Sequence, residues 1–190
     1  YVIRRENFSF CGQLLSKREF TEKNLNKGEL RPEVAYLMCC YANIQPEDVV
    51  LEPFAGYGSI PIQISKHFNY NKLFVSDIDS ERISDLQQKK HLKKENIFIE
   101  ECSVFDLPTK RSEISCIITD PPWGYYEEIT DITKFYIDMF ESFRKICREN
   151  CKIVILTARV ENFVQAAESS NVELSERLNT LINGKKASLF

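Results

Sequence analysis

The sequence predicts an α/β protein with a mostly parallel central sheet of about seven strands, helices on both faces and a C-terminal antiparallel hairpin. Segments with helical spacing of apolar residues alternate with short apolar runs, which is typical of a parallel sheet covered on both sides. The turn Gly56-Tyr57-Gly58 joins the first apolar run to a helical segment. Near the end, Asn183-Gly184 separates two strand-like segments and is a strong hairpin signal.

Four helices are predicted from capping residues and apolar spacing. Pro32 suits the first position of a helix that runs toward Asn43. A second helix follows the glycine turn over residues 59–67, and a third covers about 80–94. Asp131 can cap a long fourth helix that carries its apolar residues on one face.

Seven strands are predicted at the short apolar runs. The five predicted parallel strands are residues 48–51, 73–76, 97–100, 114–119 and 152–157, and the hairpin strands lie within 173–182 and 187–190. Residues 9–31 are the least regular part of the chain. We therefore divide the sequence into an N-terminal arm, residues 1–31, and one domain, residues 32–190.

Composition excludes several classes of protein. With 190 residues and 43% hydrophobic content, the chain can form one substantial core, but no apolar run approaches the roughly 20 residues of a membrane span. Seven cysteines without C-x-x-C spacing predict reduced thiols rather than structural zinc. The two histidines, His67 and His91, have no neighbouring ligand set, so no metal is expected. These features favour a cytoplasmic protein without a membrane partner.

Charge is unevenly distributed. The formal net charge is −3, yet residues 1–31 carry seven Lys/Arg against four Glu, while the remainder carries 18 basic and 24 acidic residues. A polyanion would therefore meet the chain at its N-terminal edge. The lysines at positions 89, 90, 93 and 94 are a second, weaker candidate for contact with a polyanion, since a charge run on a helix is more often a solvated face. Because the chain begins with Tyr1 rather than Met, an upstream segment is expected.

The turn after the first strand predicts a ligand site. Gly56 and Gly58 allow the backbone to approach a ligand closely at a helix N-terminus. The third glycine of a dinucleotide fingerprint is missing, because Ile60-Pro61 follows. Glu52, at the strand end, would repel a pyrophosphate and instead favours an amine-bearing ligand. An NAD-dependent oxidoreductase is therefore not predicted.

Asp77 follows at the offset where an acidic residue accepts hydrogen bonds from ribose hydroxyls. We interpret Asp77 as the ribose ligand, although a helix-capping role remains an alternative. Ile78 would lie against an adenine face, while Asp79 caps the next helix. Together with Glu52 and the glycines, these residues describe a site for a nucleoside with an amino-acid tail. S-adenosylmethionine is such a ligand.

The segment Asp120-Pro121-Pro122-Trp123-Gly124 directly follows the fourth predicted strand. Strand ends are where α/β folds keep their chemistry. Two prolines remove two backbone donors and hold an extended turn, so a carboxylate, free carbonyls and an aromatic face can point into one crevice. Such a turn suits a planar ring with an amine. A Pro-Pro turn with a core Trp is the structural alternative.

From about Phe8 to the C-terminus, these motifs resemble those of class I S-adenosylmethionine-dependent methyltransferases, and among them the THUMP-associated RNA guanine-N2 methyltransferases. The motifs that carry the resemblance, in order, are Leu30-Arg31-Pro32-Glu33-Val34-Ala35, Glu52 to Ile60, Ser76-Asp77-Ile78-Asp79, Asp120 to Gly124 and Asn183-Gly184-Lys185. The resemblance implies a Rossmann-like methyltransferase fold, an RNA substrate and an N-terminal RNA-binding module of the THUMP type outside this chain.

Site assignments follow from the motifs and the resemblance together. The residues assigned to cofactor binding are Glu52, Pro53, Phe54, Ala55, Gly56, Gly58, Asp77, Ile78, Ser103, Val104 and Asp120, and those assigned to catalysis are Asp120, Pro121, Pro122 and Trp123. Three departures from the family pattern stand out: Glu52 replaces a usual Asp, Ser103 stands where an Asp is common, and Trp123 stands where Tyr is commoner. The Ser103 hydroxyl can still bond the adenine amine, more weakly than a carboxylate.

Two alternatives to guanine-N2 methylation remain open from sequence. Adenine-N6 methylation of RNA or DNA also uses an acid or amide followed by Pro-Pro and an aromatic residue. The order of the motifs, with the glycine turn first, and Gly124 favour the guanine family. The second alternative is a non-catalytic subunit that keeps the fold as a binding platform.

Overall fold

Strands and helices alternate over most of the chain. The computed structural model describes residues 2–5, 8–11, 25–107, 114–125, 129–175, 177–182 and 184–190. The strands are β1 (Val2–Arg5), β2 (Phe8–Cys11), β3 (Val49–Glu52), β4 (Lys72–Asp77), β5 (Ile97–Glu101), β6 (Ile114–Thr119), β7 (Cys147–Thr157), β8 (Leu178–Ile182) and β9 (Lys185–Leu189). The α-helices are α1 (Pro32–Tyr41), α2 (Ser59–His67), α3 (Ser80–Gln88), α4 (Ile132–Ile146) and α5 (Val160–Ser169).

Seven strands form the central sheet in the order β5-β4-β3-β6-β7-β9-β8. The first five in this order are parallel, β9 runs antiparallel to β7, and β8 runs antiparallel to β9. The predicted fold class, with its C-terminal antiparallel hairpin, is confirmed. The chain moves outward from β3 to β5 and then returns to the other side of β3, so the strand order reverses between β3 and β6. In open α/β sheets, ligands bind outside the carboxyl ends of the strands at this reversal.

Alternate residues of each inner strand enter one of two cores on opposite faces of the sheet. Val50 and Ile118 belong to the core that includes buried residues of α1, α2 and α3. Leu51 and Ile117 belong to the core formed with α4 and α5. Each fully buried aliphatic side chain contributes about 1.5–3 kcal/mol. The two cores therefore hold the strand ends between β3 and β6 in a fixed position.

Several element boundaries differ from the sequence prediction. The third helix ends at Gln88, because Lys89 adopts an extended backbone, and a short 3-10 turn, Lys90–Leu92, follows. Strand β7 begins at Cys147 instead of residue 152, and its pairing with β6 contains an irregularity between Ile114 and Cys116. This polar first part of β7 lacks the apolar pattern on which the prediction relied.

Three elements were not predicted at all. Helix α5 follows β7 directly and buries Phe163, Ala166 and Ala167. Strands β1 and β2 pair antiparallel within the segment treated as an irregular arm. The predicted Asn183-Gly184 turn lies partly outside the described residues, since Asn183 is not among them. Gly184 has φ 78°, and the flanking residues Ile182 and Lys185 pair, as a tight hairpin requires.

Lysines 89 and 94 hydrogen-bond to neighbouring backbone. Lys89 Nζ donates to Tyr57 O at 2.7 Å, and Lys94 Nζ donates to Ser65 O. Lys89 is half-buried, whereas Lys90, Lys93 and Lys94 are exposed, as a solvated face requires. None of the seven cysteines forms a disulfide. Among the helices of the described residues, none combines the length and apolarity needed to cross a membrane.

Candidate functional site

Three carboxylates meet at the carboxyl edge of the sheet, where the strand order reverses. Glu52 is the last residue of β3, Asp77 is the last residue of β4, and Asp120 directly follows β6. These three strands are adjacent in the sheet. The charges of Asp120 and Asp77 both act on the pKa of Glu52. The edge therefore gathers three carboxyl groups where a ligand is expected to bind.

Glu52 is fully buried, and one of its carboxylate oxygens has no partner. Its Oε1 accepts hydrogen bonds from Phe54 N at 3.0 Å and from Thr119 Oγ1 at 2.8 Å. Its Oε2 is buried without a hydrogen bond. Burial raises the pKa of the Glu52 carboxyl well above its ordinary value, and the charges of Asp120 and Asp77 raise it further, while its two hydrogen bonds act in the opposite direction. Such an oxygen is suited to a cationic amine.

The glycine turn is tied to the end of β4. Ala55 N donates to Ser76 O at 3.0 Å, and Gly56 N donates to Asp77 Oδ2 at 2.7 Å. Gly56 and Gly58 both have positive φ, 50° and 86°. Arg82 stacks on the Tyr57 ring with its guanidinium carbon 3.6 Å from the ring centre. These contacts fix the turn in front of the α2 N-terminus.

We expect Gly58→Ala to destabilise the fold by about 2–4 kcal/mol, because the positive φ strains an L-residue and the new methyl group would overlap Leu86 Cδ2. Leu86 is fully buried and has little room to move. Gly184→Ala is the matched control, since Gly184 has φ 78° with no atom within 4 Å of the added Cβ. Gly184→Ala should lower the free energy of unfolding by only about 1–2 kcal/mol, the cost of the backbone strain. Equal losses in urea unfolding would show that the Leu86 contact is unimportant.

Asp77, Ile78 and Asp79 lie beside the glycine turn. Asp77 Oδ1 also accepts from Asp79 N at 3.0 Å, so its carboxylate already organises local backbone. Asp79 caps α3 by accepting from Glu81 N and Arg82 N, which confirms the predicted cap. Ile78 exposes 73% of its surface. An exposed branched side chain beside the turn can cover the face of a flat ring.

The segment after β5 lies next to Asp77, because Cys102 N donates to Asp77 O at 3.0 Å. Ser103 is half-buried, and its Oγ accepts from Phe105 N at 3.2 Å. The side chain of Val104 is 3% exposed and packs in the core. Val104 can therefore meet a ligand only through its backbone. In the glycine turn, Pro53 and Ala55 are likewise buried, whereas Phe54 is half-buried and packs against Phe135.

Asp120 resembles Glu52 in its environment. Its Oδ1 is buried without a hydrogen bond. Burial raises the pKa of Asp120 to about 8, and the nearby Trp123 side chain acts in the opposite direction. A carboxyl with a raised pKa and an unpartnered oxygen at a strand end is a candidate hydrogen-bond acceptor for a substrate. The site thus holds two such oxygens, on Glu52 and Asp120.

The Pro-Pro-Trp turn is anchored to the end of β7. Pro121 is buried, while Pro122 and Trp123 are half-buried. Trp123 Nε1 donates to Leu156 O at 3.4 Å, and Trp123 O accepts from Arg159 Nε at 2.7 Å. The turn therefore combines a fixed aromatic ring with the Asp120 carboxylate. Trp123 also packs against the core, so the alternative of a Pro-Pro turn with a core Trp is partly correct.

Sequence reasoning missed three residues that support the site. Thr119 orients Glu52, Arg159 holds the Trp123 carbonyl, and Arg82 stacks on Tyr57. Thr119 directly precedes Asp120, so its position at a strand end was a usable signal. The other two contacts join distant segments and have no local sequence pattern. Within the described ranges, no three His, Cys, Asp or Glu side chains form a group that could hold a metal ion.

Comparison with known proteins gives a consistent family. The model of the UPF0020 family, described as an RMKL-like methyltransferase domain, matches residues 18–187. The U6 snRNA (guanine-N(2))-methyltransferase THUMPD2 of Bos taurus is 25% identical over 67% of this chain and 25% of its own length. The tRNA (guanine(6)-N2)-methyltransferase of Methanocaldococcus jannaschii is 22% identical over 93% of this chain and 56% of its own. The chain thus spans about a quarter and about half of these two relatives.

Solved structures show the same fold. TrmN from Thermus thermophilus superposes with a TM-score of 0.73 at 20% identity, covering 86% of this chain and 49% of that one. A putative methyltransferase complexed with SAH gives a TM-score of 0.68 at 13% identity, covering 87% and 53%. At these identities the likeness concerns the fold alone.

Proposed function

This chain belongs to the UPF0020 family of RMKL-like methyltransferase domains, and from that premise we propose that it transfers a methyl group from S-adenosylmethionine to the exocyclic N2 amine of a guanosine in tRNA or ribosomal RNA. The printed activities of the two relatives, both guanine-N2 methylation of RNA, support the choice of base and substrate. The observation that carries the proposal is the unpartnered Oδ1 of Asp120, at the strand end beside β3 and its Glu52.

The residues at the β3 and β4 ends fit the cofactor. Oε2 of Glu52 lacks a partner and can accept a hydrogen bond from the amine of an amino-acid tail. Asp77 would accept from the ribose hydroxyls, exchanging its present bond to Gly56 N. Ile78 and Phe54, with Ser103 and the Val104 backbone, would border the adenine ring. When bound, S-adenosylmethionine would supply a methyl group on a sulfonium, which is already a good leaving group.

The acceptor half of the proposed site is the Pro-Pro-Trp turn. The lone pair of a base amine is delocalised into its ring, so the amine is a weak nucleophile. Asp120 and the Pro121 carbonyl would accept its two hydrogens, favour a tetrahedral nitrogen and stabilise the developing positive charge. Pro122 has no backbone N–H and holds the turn extended. Trp123 would stack on the base, which contributes roughly 1–3 kcal/mol.

Alignment then accounts for most of the rate, because no covalent enzyme intermediate is needed. The chain holds the amine acceptor and the proposed cofactor residues on adjacent strands of one rigid sheet. A guanosine inside a paired region would first have to leave its stack to reach Asp120. The proposed Trp123 contact would offset part of the free energy of that step.

The proposal includes features beyond this chain. Its relatives are longer, and the positive charge of residues 1–31 supports an RNA-binding module at the N-terminal side. We keep residue 31 as the proposed boundary between the arm and the methyltransferase domain. Seven cysteines, none of them in a disulfide, support a reducing compartment, for which we propose the cytoplasm.

Isotope-labelled S-adenosylmethionine and unmodified RNA pools provide the test. After incubation with the full-length protein, the RNA is digested to nucleosides and analysed by mass spectrometry. We expect labelled N2-methylguanosine. Labelled N6-methyladenosine would replace the proposed acceptor base, and no label in any nucleoside from a folded protein that binds the cofactor would refute RNA methylation.

A further inference from the structure

Two cationic side chains lie on one aromatic ring just beyond the proposed acceptor turn. The Arg159 guanidinium carbon is 4.4 Å from the centre of the Tyr125 ring, and Lys185 Nζ is 3.6 Å from it. The Tyr125 ring centre is 6.4 Å from that of Trp123, and Tyr125 is 43% exposed. We call Tyr125, Arg159 and Lys185 the cationic cluster.

The sheet register brings this cluster to the edge that holds Asp120. Arg159 lies two residues beyond Thr157, the last residue of β7, and Arg159 N donates to Thr157 Oγ1 at 2.9 Å. Strand β9 runs antiparallel to β7 with Ser188 opposite Thr157. Lys185, three residues before Ser188, therefore lies beyond the carboxyl end of β7. Both cations are thus at the side of the site where a substrate would enter.

Their position is fixed before any ligand arrives. Arg159 Nε donates to Trp123 O at 2.7 Å, and both cations are attracted to the face of Tyr125. A long cationic side chain that is already ordered loses less entropy when it binds. The surroundings are acidic, because residues 32–190 carry 24 acidic against 18 basic residues. A polyanion is repelled by this net negative charge and approaches most readily where local cations offset it.

We propose that Lys185 and Arg159, held on Tyr125 beside the Trp123 turn, bind a backbone phosphate of the RNA strand next to the target nucleotide. This inference rests on the proposed function, because it takes RNA as the substrate. The phosphate is the anion that every RNA brings to within one nucleotide of the reacting base. A phosphate contact positions the strand without reading its sequence. The cluster therefore sets the register of the strand, while Asp120 and Trp123 act on the base.

Lys185→Gln tests the inference, with Lys186→Gln as its matched control. Lys186 is the next residue in β9 and is exposed, but side chains of successive strand residues point to opposite faces. Binding of an unmodified tRNA pool to the full-length protein is measured across a salt series. For Lys185→Gln we expect the Kd to rise roughly three- to tenfold at low salt. The magnitude of the slope of log K against the logarithm of the salt concentration should decrease by about 0.7–1.

Lys186→Gln should retain the wild-type slope, and Lys185→Arg should restore it. Cofactor affinity should stay unchanged in all three variants. If Lys185→Gln and Lys186→Gln have the same slope, the inference is overturned. Should Lys185→Gln fail to fold, Lys185→Met keeps the long stem without the charge and is measured instead. Wild-type protein that neither binds nor methylates RNA would refute the proposed function itself, which distinguishes the two failures.

Discussion

Asp120→Ala is expected to lower kcat at least a hundredfold and, because Asp120 is also assigned to the cofactor site, to weaken the affinity for S-adenosylmethionine by a smaller factor. The size follows from the removal of one preorganised group that stabilises developing charge, which typically reduces kcat by about 10²–10³. The structural basis is the buried, unpartnered Oδ1 of Asp120. Single-turnover methylation of RNA measures kcat, and calorimetry measures cofactor binding.

Asp138→Ala is the matched control for this substitution. Asp138 lies on α4 and forms an exposed pair with Lys134 at 2.9 Å, a contact that contributes about 0.3–0.5 kcal/mol to stability. It should therefore leave kcat unchanged. Wild-type turnover by Asp120→Ala, with normal cofactor binding, would remove Asp120 from the mechanism.

The raised pKa of Asp120 adds a pH dependence to the same prediction. Burial holds this pKa at about 8. Only the ionised carboxylate can both accept a hydrogen bond and stabilise the developing positive charge. We therefore expect kcat/KM to increase with pH up to about 8, since this ratio reports ionisation in the free enzyme. The corresponding increase of kcat should occur at lower pH, because the positive charge of a bound sulfonium favours the ionised Asp120 carboxylate. Asp120→Asn should lose this increase of kcat/KM and kcat with pH.

The sequence predicted the fold because its signals were local. The glycine turn, the Asp79 cap and the apolar run Ile114–Thr119 each specify structure within a few residues, and all three were found where predicted. The strand ends then follow from the geometry of a parallel sheet. Glu52 and Asp120 meet because β3 and β6 are neighbours. The catalytic and binding roles of these residues remain predictions.

The missed features depend on contacts between distant segments. Helix α5 is the exception, because its apolar residues at 160, 163, 164 and 167 have helical spacing and were a usable local signal. The first part of β7 is polar and includes Asn150 at φ 61°, so no period-2 pattern marks it. Arg159 becomes part of the site through the carbonyl of Trp123, 36 residues away. A single sequence carries no periodic signal for such a pairing.

Glu52→Gln is the second substitution with a large expected effect. The Gln amide has the shape of the protonated carboxyl, so its oxygen can keep the bonds from Phe54 N and Thr119 Oγ1. It cannot supply the negative charge that Oε2 would offer to a cofactor amine. Loss of one partner of a buried charge pair costs about 2–5 kcal/mol. The Kd for S-adenosylmethionine should therefore rise roughly 30-fold or more.

Although Glu52→Gln should weaken cofactor binding, it should increase the free energy of unfolding relative to the wild type at alkaline pH. The pKa of Glu52 is raised in the folded protein, so its contribution to stability is fully present below the unfolded pKa of about 4.3 and is lost as pH rises through the folded value. Glu52→Gln removes this loss. In urea unfolding, the variant should gain on the wild type as pH rises. Glu47→Gln, an exposed position before the other end of β3, should show no such gain.

Proton release links these two effects and tests Glu52 directly. Below its raised pKa, the Glu52 carboxyl is protonated in the free protein, whereas a cationic amine next to Oε2 favours the anion. Cofactor binding to the wild type should therefore release a proton, so the calorimetric binding enthalpy should differ between buffers with different ionisation enthalpies. Glu52→Gln should lose this contribution, whereas Glu47→Gln should keep it. Equal proton release by wild type and Glu52→Gln would show that the proton comes from another group, and would argue against Glu52 as the acceptor of the amine.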